Sequence, residues 1–471
     1  MKPVLSIAEM RRVDAETTAD IDRLMDSAGY AVALAAADFG AGYGSKVSVL
    51  CGKGNNGGDG YIAAAYLADR GATVTAHVVG NPLPNTPADR AAKRAQRHGV
   101  RIRPIAAPSD EGFVIDAVVG TGFTGSLSPE VAAFTATSAV VIAVDIPSGL
   151  NGDDGTANGP VFDAEATVVF HARKTGHLLG RGPDLCGEVR VVDIGLTGGD
   201  PAMFVFEDSD VVVPSRARTA HKWSSGAVAT IGGMPGLTGA ALLAARAALA
   251  AGSGVSNLVT QTATSEAYLA AVPEIPTMET TSVNTTDEAN SLLERLRRFD
   301  VIIAGPGLEP ASGAFVRGLI AGFDGALVLD AGALNAINPG DLSQRTGPTI
   351  LTPHAGEFER LTGVPVSHDA AVLLSQETGS IVVLKGNPTL VVGDRTFVVT
   401  TGGPELATIG TGDVLAGMIG AFVARSSDPL MSAASAAHLH GVAGQVVADL
   451  SAVTAGGLLN VVGPTVAAYT D

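Results

Sequence analysis

The stretch from Gly52 to Gly60 carries two asparagines and an aspartate among five glycines. It follows an apolar run at residues 47–51 and precedes an alanine-rich helical pattern that starts at Tyr61. A strand, a glycine-rich turn and a helix in this order direct backbone N–H groups and a helix N-terminus at an anion, usually a phosphate. The asparagine and aspartate side chains add polarity that a plain phosphate loop lacks. The stretch therefore predicts a site for a polar, phosphate-bearing ligand.

Two further polar clusters follow predicted strands in the same half of the chain. Asp116 lies in an apolar run that leads into the glycine-rich segment 120–126, and Asp145 and Ser148 follow the next run. Because ligands of doubly wound sheets bind at the carboxyl ends of the strands, we expect these residues to form one crevice with Asn56. Oxygen ligands suit a hard cation such as K⁺ or Mg²⁺, and an aspartate near a bound dinucleotide could act as a general base. The alternative is that each residue only caps the helix after its strand, but the three clusters together favour a binding site.

Asp413 has the position of a catalytic aspartate in the second half of the chain. It follows the small-residue turn Gly410-Thr411-Gly412, which opens a helical pattern. Backbone N–H groups at such a turn can stabilise a phosphoryl group during transfer, and the aspartate can accept a proton from an alcohol. The alternative is an aspartate that only stabilises the first helical turn through the macrodipole. The adjoining glycines favour the catalytic interpretation.

Three other loops of the second half leave predicted strands and carry polar groups. Residues 305–308 contain a Gly-Pro-Gly turn, residues 352–357 include His354, and residues 385–389 begin with Lys385. A lysine and backbone amides at a strand end could bind nucleotide phosphates. A lone histidine is more often a surface or capping residue, but the glycine and glutamate in its loop favour a functional role for His354. Its spacing lacks the His-to-His repeat of a zinc protease, so we do not predict zinc.

Short β-branched runs alternate with alanine-rich helical stretches along most of the chain. This alternation predicts an α/β protein with two doubly wound domains and largely parallel sheets. The strands are predicted near residues 47–50, 74–79, 114–119, 140–144, 168–170, 189–193, 227–231, 257–260, 301–304, 327–330, 381–384 and 396–400. Helices are predicted at residues 240–251 and 413–424, and a polar surface loop at 280–290. The pattern breaks around residues 197–220, so we predict domains at 1–205 and 221–471 joined by a linker at 206–220.

The composition narrows the class of partner. The 471 residues carry a net charge of −17, which argues against nucleic acid or an anionic membrane surface as the main partner. Cys51 and Cys186 show neither metal-ligand spacing nor a disulfide framework, which favours the reducing cytoplasm. The most apolar stretch, residues 240–255, contains Arg246 and several glycines, so we interpret it as a buried helix and not a membrane span. We expect small-molecule partners and a homo-oligomer.

Together these motifs closely resemble the bifunctional NAD(P)H-hydrate repair enzymes, and the resemblance covers nearly the whole chain. In that family an N-terminal epimerase domain with a Rossmann-like fold is fused to a C-terminal, ADP-dependent dehydratase domain with a ribokinase-like fold. The matching motifs are segments 55–59, 120–126 and 145–148 in the first half, and His221-Lys222, 305–308, 352–357, 385–389 and 410–413 in the second.

The resemblance implies a role for each matching residue. The residues implied to contact the hydrated cofactor in the first half are Asn55, Asn56, Gly57, Gly58, Asp59, Gly120, Thr121, Gly122, Phe123, Thr124, Gly125, Ser126 and Asp145. The residues implied to bind K⁺ are Asn56, Asp116 and Ser148. The residues implied to contact the adenine nucleotide in the second half are Lys385, Gly386, Asn387, Pro388, Thr389 and Gly412. The residues implied to face the hydrated substrate there are Ala240, Gly307, His354 and Asp413, with Asp413 catalytic.

Two segments depart from the family pattern. The family usually has a second aspartate where this chain has Gly332, two residues after Asp330. After His221-Lys222 the chain continues Trp223-Ser224-Ser225-Gly226, where the family more often has glycine and an acidic residue. Both departures concern the shape of the second site.

The resemblance implies repair of NADH or NADPH that has been hydrated at the nicotinamide ring. The first domain would interconvert the R and S epimers with Asp145 as the base and K⁺ in the site. The second would use ADP, and Mg²⁺, to phosphorylate the hydroxyl, with Asp413 accepting its proton, and loss of phosphate would restore the reduced cofactor. The alternatives are a ribokinase-like small-molecule kinase with an N-terminal dinucleotide-binding domain, and a first domain that binds without turnover.

Overall fold

The computed structural model describes residues 1–120, 123 and 125–470. It divides into two compact units, one spanning residues 2–203 and the other containing Met1 and the chain from Phe204 onward. The start of the segment predicted as a linker belongs to the second unit, because Phe206 is buried in that unit's apolar core.

The first unit is built around a parallel sheet with helices between its strands. Its strands are β1 Lys2–Leu5, β2 Lys46–Cys51, β3 Thr73–Val78, β4 Arg101–Pro104, β5 Phe113–Ala117, β6 Val140–Val144, β7 Ala166–Phe170, β8 Arg173–Lys174 and β9 Glu188–Val192. Its helices are α1 Ile7–Glu16, α2 Ile21–Asp38, α3 Asn55–Asp69, α4 Pro87–Arg97, α5 Pro129–Ala132 and α6 Gly182–Leu185. Seven of the strands pair in the order β4-β3-β2-β5-β6-β7-β9, and β1 pairs in parallel with β8.

Apolar residues cover both faces of the seven-stranded sheet. Alternate residues of a strand point to opposite faces, and accordingly Val49 and Leu50 of β2 belong to two different buried clusters. The first cluster packs under α2, α3 and α4, and the second contains Phe134 and Phe162. A parallel sheet covered on both faces confirms the predicted doubly wound class for this unit.

The second unit contains a longer sheet of the same class. Its strands are β10 Met203–Phe206, β11 Ala227–Ile231, β12 Val255–Gln261, β13 Thr277–Thr280, β14 Val301–Ala304, β15 Ala326–Leu329, β16 Thr349–Leu351, β17 Ile381–Leu384, β18 Thr389–Val392 and β19 Thr396–Val399. Its helices are α7 Thr238–Ala250, α8 Thr262–Ala271, α9 Thr286–Leu296, α10 Gly313–Gly322, α11 Ala331–Asn335, α12 Ala355–Thr362, α13 His368–Thr378, α14 Thr411–Val423, α15 Pro429–Ala448 and α16 Ala455–Ala468. The strands run β13-β12-β11-β14-β15-β16-β17-β18-β19-β10. They pair in parallel except at β17–β18 and β18–β19, which are antiparallel.

The surface loop predicted at residues 280–290 is wrong, because α9 begins inside it. Thr285 is the N-cap, its side chain accepts a hydrogen bond from the N–H of Glu288, and the Glu288 carboxylate accepts from the N–H of Thr285. This reciprocal capping box satisfies two N–H groups that the helix itself leaves free. The polar residues of the first turn suggested a loop, but the helix has an apolar face that includes Leu292 and Leu296, both of which are buried.

The predicted helices at residues 240–251 and 413–424 are confirmed as α7 and α14, which pack directly against each other. The backbones approach so closely that a Cβ atom at Gly417 would lie 2.2 Å from the carbonyl oxygen of Ala244. No helix in the described part of the chain combines the length and apolar character that crossing a bilayer requires.

Replacement of Gly417 by valine should destabilise the second unit. The added side chain has no space between α7 and α14, and overpacking of this kind costs about 1–3 kcal/mol. Trp223 is the only tryptophan of the chain and lies in the second unit, with its ring 5.5 Å from that of Phe299. Urea unfolding followed by tryptophan fluorescence therefore reports the stability of this unit. The control is Gly456→Ala in α16, where a Cβ meets nothing within 4 Å and no loss is expected. Equal stability of the valine variant and the unaltered protein would contradict the close helix contact.

Candidate active sites

The polar stretch at residues 52–60 is a short turn followed directly by a helix. We predicted a glycine-rich turn with the helix starting at Tyr61, but α3 begins at Asn55, after Gly54 as its N-cap. Gly57 is already helical and fits because a Cβ there would lie 2.0 Å from the carbonyl oxygen of Gly52. The asparagines consequently occupy the first helical turn, where the backbone N–H groups have no partner within the helix. The expected anion-binding geometry is retained, but the helix supplies more of it than the loop does.

Asn56, Asp116 and Ser148 are brought together by a chain of hydrogen bonds. The amide of Asn56 donates to the carbonyl of Val119 at 2.8 Å, and the N–H of Val119 donates to the Ser148 hydroxyl at 3.2 Å. That hydroxyl donates to Asp116 Oδ1 at 2.6 Å, and the N–H of Ser148 donates to Oδ2, also at 2.6 Å. The expected convergence of the three strand ends is therefore present.

The environment of Asp116 fits a bound hard cation. Asp116 is fully buried, and this burial raises the pKa of its carboxyl to about 6 despite the hydrogen bonds from Ser148 and Val118, which act in the opposite direction. Within the described residues no basic side chain forms an ion pair with Asp116. The oxygen atoms of Asn56, Asp116 and Ser148 are the donor type that K⁺ prefers, and a cation there would offset the buried charge.

Asp145 is held by two residues that we did not predict. Lys174, which is fully buried, donates from its ammonium to Asp145 Oδ1 and to the carbonyl of Phe170. His177 Nδ1 accepts from the N–H of Lys174 at 2.9 Å, so His177 Nε2 carries the proton and donates to the Asp145 carbonyl at 2.8 Å. Burial lowers the pKa of His177 to about 4, which keeps this ring neutral. Asp145 itself has a φ of 67°, a conformation that these contacts hold in place.

Asn56 and Asp145 line a cavity of about 540 Å³ in the first unit, a size that suits a small-molecule site. The predicted residues that line it are Asn55, Asn56, Asp59, Gly120, Phe123 and Asp145. The lining residues that we missed come mainly from α1, α2 and the ends of β7 and β9, and include Met10, Asp14, Leu24, Phe170 and Leu196. Most of these residues are apolar, and the sequence around an apolar residue does not show whether it lines a cavity or belongs to the core.

Other predicted residues of the first half lie elsewhere. Gly58 is buried, and a Cβ there would meet the side chain of Met25 at 2.5 Å, so this glycine permits helix packing. Gly57, Gly58, Gly125 and Ser126 are not among the residues that line the cavity. Thr121, Gly122 and Thr124 lie outside the described residues.

In the second unit, Asp413 lies in the first turn of α14, after Gly410 with a φ of 88° as the N-cap. Burial is the main cause that raises the pKa of Asp413 to about 7, and the nearby charge of Asp330 adds to it, while Lys385 acts in the opposite direction. A carboxyl with this pKa is partly ionised at neutral pH and can accept a proton from an alcohol. The predicted position of Asp413 at a helix start is confirmed.

Lys385 interacts with three carboxylates of the second unit. Its ammonium donates to Asp330 Oδ1 at 2.8 Å and lies 3.8 Å from Glu357 Oε2. The charges of Asp330, Glu357 and Asp413 raise the pKa of Lys385 even though its burial, the largest single cause, lowers it. Gly412 adjoins this group, because a Cβ there would lie 3.5 Å from Lys385 Nζ. A positive charge is thus fixed beside the start of α14.

His354 has the capping role that its sequence left open. It is the N-cap of α12, and its Nδ1 accepts from the N–H of Gly356 at 3.0 Å and from that of Glu357 at 3.3 Å. Because Nδ1 is an acceptor, Nε2 carries the proton of the neutral ring. The side chain is 58 % exposed, so Nε2 remains accessible to a ligand.

The remaining predicted residues occupy loops and helix starts of the second unit. Gly307 has a φ of 71°, and Ala240 lies half-buried in the first turn of α7. Gly386 follows the end of β17, the Asn387–Pro388 peptide is cis, and Thr389 begins β18 with its hydroxyl donating to the Gly386 carbonyl.

His440 is a contact of the second site that the sequence did not reveal. It is buried on α15, and its Nε2 lies 2.9 Å from the carbonyl oxygen of Thr411, at the first residue of α14. Because the partner is an acceptor, Nε2 must carry the proton. Burial lowers the pKa of His440 to about 4. The neutral ring therefore anchors the turn that carries Asp413.

The fold and the two sets of residues are those of an α/β enzyme with one candidate site at the carboxyl ends of the strands in each unit. A family model described as NAD(P)H-hydrate dehydratase matches residues 228–460, and one described as YjeF-related protein N-terminus matches residues 21–176.

Relatives with both halves extend the likeness to most of the chain. The bifunctional NAD(P)H-hydrate repair enzyme Nnr of Salinibacter ruber is 34% identical, over 94% of this chain and 92% of that protein. The Escherichia coli enzyme of the same name is also 34% identical, over 85% of this chain and 80% of that protein. The chain therefore belongs to the bifunctional NAD(P)H-hydrate repair enzyme family, as its motifs predicted.

Solved structures support the fold predicted for the second unit. The ADP/ATP-dependent NAD(P)H-hydrate dehydratase of Bacillus subtilis, co-crystallised with ATP/Mg²⁺, is 29% identical with a TM-score of 0.52. The similarity covers 57% of this chain and 99% of that one. A ribokinase-like superfamily protein of Enterococcus faecalis is 25% identical with a TM-score of 0.53, covering 58% of this chain and 98% of that one. The ribokinase-like prediction is confirmed.

Replacement of His440 by glutamine should change how the stability of the second unit depends on pH. The pKa of His440 is about 4 in the folded protein against 6.5 for an ordinary histidine, so the unfolded chain binds the proton more readily. The contribution of His440 to the free energy of unfolding is therefore lost as the pH falls, by about 2 kcal/mol between pH 7 and pH 5. Glutamine can donate the same hydrogen bond but does not titrate.

The measurement is urea unfolding of both proteins at several pH values, followed by Trp223 fluorescence. Subtracting the two stabilities removes the opposite contribution of Asp413, which both proteins share. We expect the difference to change in favour of the glutamine variant as the pH falls. A difference that does not vary with pH would show that His440 is not held neutral.

Proposed function

We propose that this chain repairs hydrated NADH and NADPH, with epimerisation in the first unit and ADP-dependent dehydration in the second. The observation that carries the proposal is that one chain assembles both sites. The first combines a helix N-terminus, a cavity and an aspartate on a buried lysine, and the second combines an aspartate at a helix start with a fixed lysine. Two relatives are named bifunctional NAD(P)H-hydrate repair enzymes, and a solved relative of the second unit is named an ADP/ATP-dependent NAD(P)H-hydrate dehydratase.

In the first unit, Asp145 is the base of the proposed epimerisation. Lys174 and His177 fix its position, and the apolar lining of the cavity gives the nicotinamide ring a surface that excludes water. The N–H groups at the start of α3 provide the site for the cofactor phosphates. Asn56, Asp116 and Ser148 would hold K⁺, whose charge would stabilise a developing negative charge on the substrate.

In the second unit, Asp413 accepts the proton of the substrate hydroxyl as that hydroxyl attacks the terminal phosphate of ADP. Lys385 neutralises charge on the nucleotide phosphates, and the N–H groups at the start of α14 face the transferred group. Transfer of this phosphate leaves AMP. The phosphate then leaves the substrate with the electron pair of the carbon–oxygen bond, the adjacent ring carbon loses a proton to solvent, and the electrons of that carbon–hydrogen bond form the double bond of the reduced cofactor.

Asp330 is the residue that would hold Mg²⁺ at this site. Lys385 and Thr352 both donate to its Oδ1, and no described residue donates a hydrogen bond to Oδ2. One carboxylate oxygen and the nucleotide phosphates form a common Mg²⁺ site. A bound Mg²⁺ ion would neutralise negative charge on the phosphates during transfer.

We further propose a cytoplasmic enzyme that uses ADP in preference to ATP and forms a homo-oligomer. The two cysteines are free and buried, which suits a reducing compartment. The relative that was co-crystallised with ATP/Mg²⁺ is named for both nucleotides. The preference for ADP is tested by comparing the rate of recovery with ADP and with ATP.

The protein should restore reduced nicotinamide from mixed R and S hydrates in the presence of ADP and Mg²⁺, followed by absorbance. Asp413→Asn should lower the rate of recovery by a factor of about 10²–10⁴, because asparagine cannot accept the proton. Epimerisation, measured by chromatography without ADP, should be unchanged, since Asp413 belongs to the second unit. Absence of ADP-dependent recovery by the unaltered protein would overturn the proposal, and loss of both activities in the variant would contradict the division into two sites.

The same assay separates the two alternatives. A small-molecule kinase would accumulate a stable phosphate ester without recovery of the reduced cofactor. A first unit that only binds would leave recovery stalled once the S epimer is consumed, in the unaltered protein as in Asp145→Ala. Full recovery by Asp145→Ala at an unchanged rate would remove Asp145 from the mechanism.

K⁺ should stabilise the first unit more at pH 8 than at pH 5. The pKa of Asp116 is about 6, so at the lower pH a proton competes with the cation for this carboxylate. At a K⁺ concentration ten times the dissociation constant, the free energy of unfolding should rise by about 1.4 kcal/mol. The measurement is calorimetric melting in KCl against tetramethylammonium chloride at equal ionic strength. In Asp116→Asn the preference for K⁺ should disappear, and an unchanged preference in this variant would exclude Asp116 as a ligand.

A further inference from the structure

Asp59 is a buried carboxyl group that the proposed mechanism leaves without a task. It lies on α3, is 7 % exposed, and lines the same cavity as Asp145. Within the described residues, no hydrogen-bond donor and no basic side chain contacts its carboxyl group. An ionised carboxylate in this situation costs several kcal/mol, so the environment favours the protonated acid.

The charged groups around Asp59 act in the same direction. Burial is the main cause that raises the pKa of Asp59 well above its usual range, and the negative charges of Asp145 and Asp14 raise it further. Two lysines of this unit do not offset this effect. Lys53 lies exposed at the rim of the cavity, and the ammonium of Lys174 is held on Asp145.

Asp145 presents the opposite case in the same cavity. Its carboxyl group accepts a hydrogen bond from the buried ammonium of Lys174. One carboxyl on a buried ammonium and a second carboxyl without a cationic partner, both at one cavity, form an arrangement that can supply one base and one acid. The two residues come from different elements, since Asp59 belongs to α3 and Asp145 follows β6.

We propose that Asp59 is the general acid of the epimerisation, and that it donates its proton to the hydroxyl group that leaves the hydrated ring carbon. This inference rests on the proposed function of the first unit. The resemblance implied only that Asp59 contacts the cofactor.

The step balances with the two carboxyls and water. The carbon–oxygen bond breaks, its electron pair leaves with the oxygen, and the proton of Asp59 completes a water molecule. The lone pair of the adjacent ring nitrogen forms a carbon–nitrogen double bond. A water molecule then adds to the other face of that carbon and gives its proton to Asp145, while the double-bond electrons return to nitrogen. Solvent in the cavity returns the proton from Asp145 to Asp59 and completes the cycle.

The test is Asp59→Asn in the full chain, with R-to-S conversion of the hydrate followed by chromatography without ADP. Asparagine keeps the shape but cannot donate a proton as an acid, so kcat should fall by about 10²–10⁴ while KM changes little. ADP-dependent recovery from the pure S epimer should be unchanged and serves as the control for folding and for the second site. An unchanged kcat with a raised KM would overturn the inference, because it would show that Asp59 only binds the substrate.

A second variant keeps the inference testable if Asp59→Asn does not fold. In the unaltered protein, kcat should fall at high pH as Asp59 loses its proton. Asp14→Asn removes one of the charges that act on Asp59, so this alkaline limb should move to lower pH, and a limb that does not move would overturn the inference. Absence of any R-to-S conversion by the unaltered protein would instead overturn the proposed function of the first unit, and the inference with it.

Discussion

The cost of burying negative charge is the constraint that organises both sites. Each unit places aspartates at the carboxyl edge of a parallel sheet, where neighbouring strands and helices remove water. An ionised carboxylate in such a position must be compensated. Asp116 is surrounded by donors from Ser148, Asp145 is paired with Lys174, and Asp330 is paired with Lys385. The loops that supply these partners are therefore fixed in place by the same charges that bind ligands.

The same cost also raises the pKa of carboxyls whose charge is only partly compensated. Burial and the charge of Asp330 raise the pKa of Asp413 to about 7, because Lys385 offsets them only in part, and Asp413 can act as a base near neutral pH. Asp59 has no cationic partner among the described residues, and burial raises its pKa well above its usual range. In the proposed mechanism, the role of each aspartate as a structural residue, a base or an acid therefore depends on whether a cationic side chain lies beside it. This division follows from the partners and could not follow from the aspartates alone.

The ends of the strands could be predicted from the sequence better than the side-chain contacts between residues that are far apart in the chain. Strands such as β11 and β14 are short, mostly apolar runs that are followed directly by glycine. An aspartate after such a run is easy to recognise because a polar residue there breaks the apolar pattern. Lys174 lies 29 residues beyond Asp145, and His440 lies 29 residues beyond Thr411. Pairing over such distances depends on the path of the chain, so no local pattern indicated it. The start of α3 was misplaced because glycine has a low helix propensity. The structure nevertheless requires glycine at position 57, because the helix there passes close to the backbone of Gly52.

The departure at Gly332 can be understood from the same geometry. A Cβ atom at this position would lie 2.3 Å from the carbonyl oxygen of Leu308, and the N–H of Gly332 donates to the carbonyl of Gly305. Gly305 in turn passes so close to Asp330 that only glycine fits there. The two loops therefore interlock, and an aspartate at position 332 would require residues 305–308 to move away. In this chain the close contact leaves no room for a second carboxylate, and Asp330 is the neighbouring carboxylate whose charge adds to burial in raising the pKa of Asp413. The pKa of Asp413 therefore depends here on burial, Asp330 and Lys385, and a second acid at position 332 would raise this pKa further and favour the protonated form that cannot act as a base.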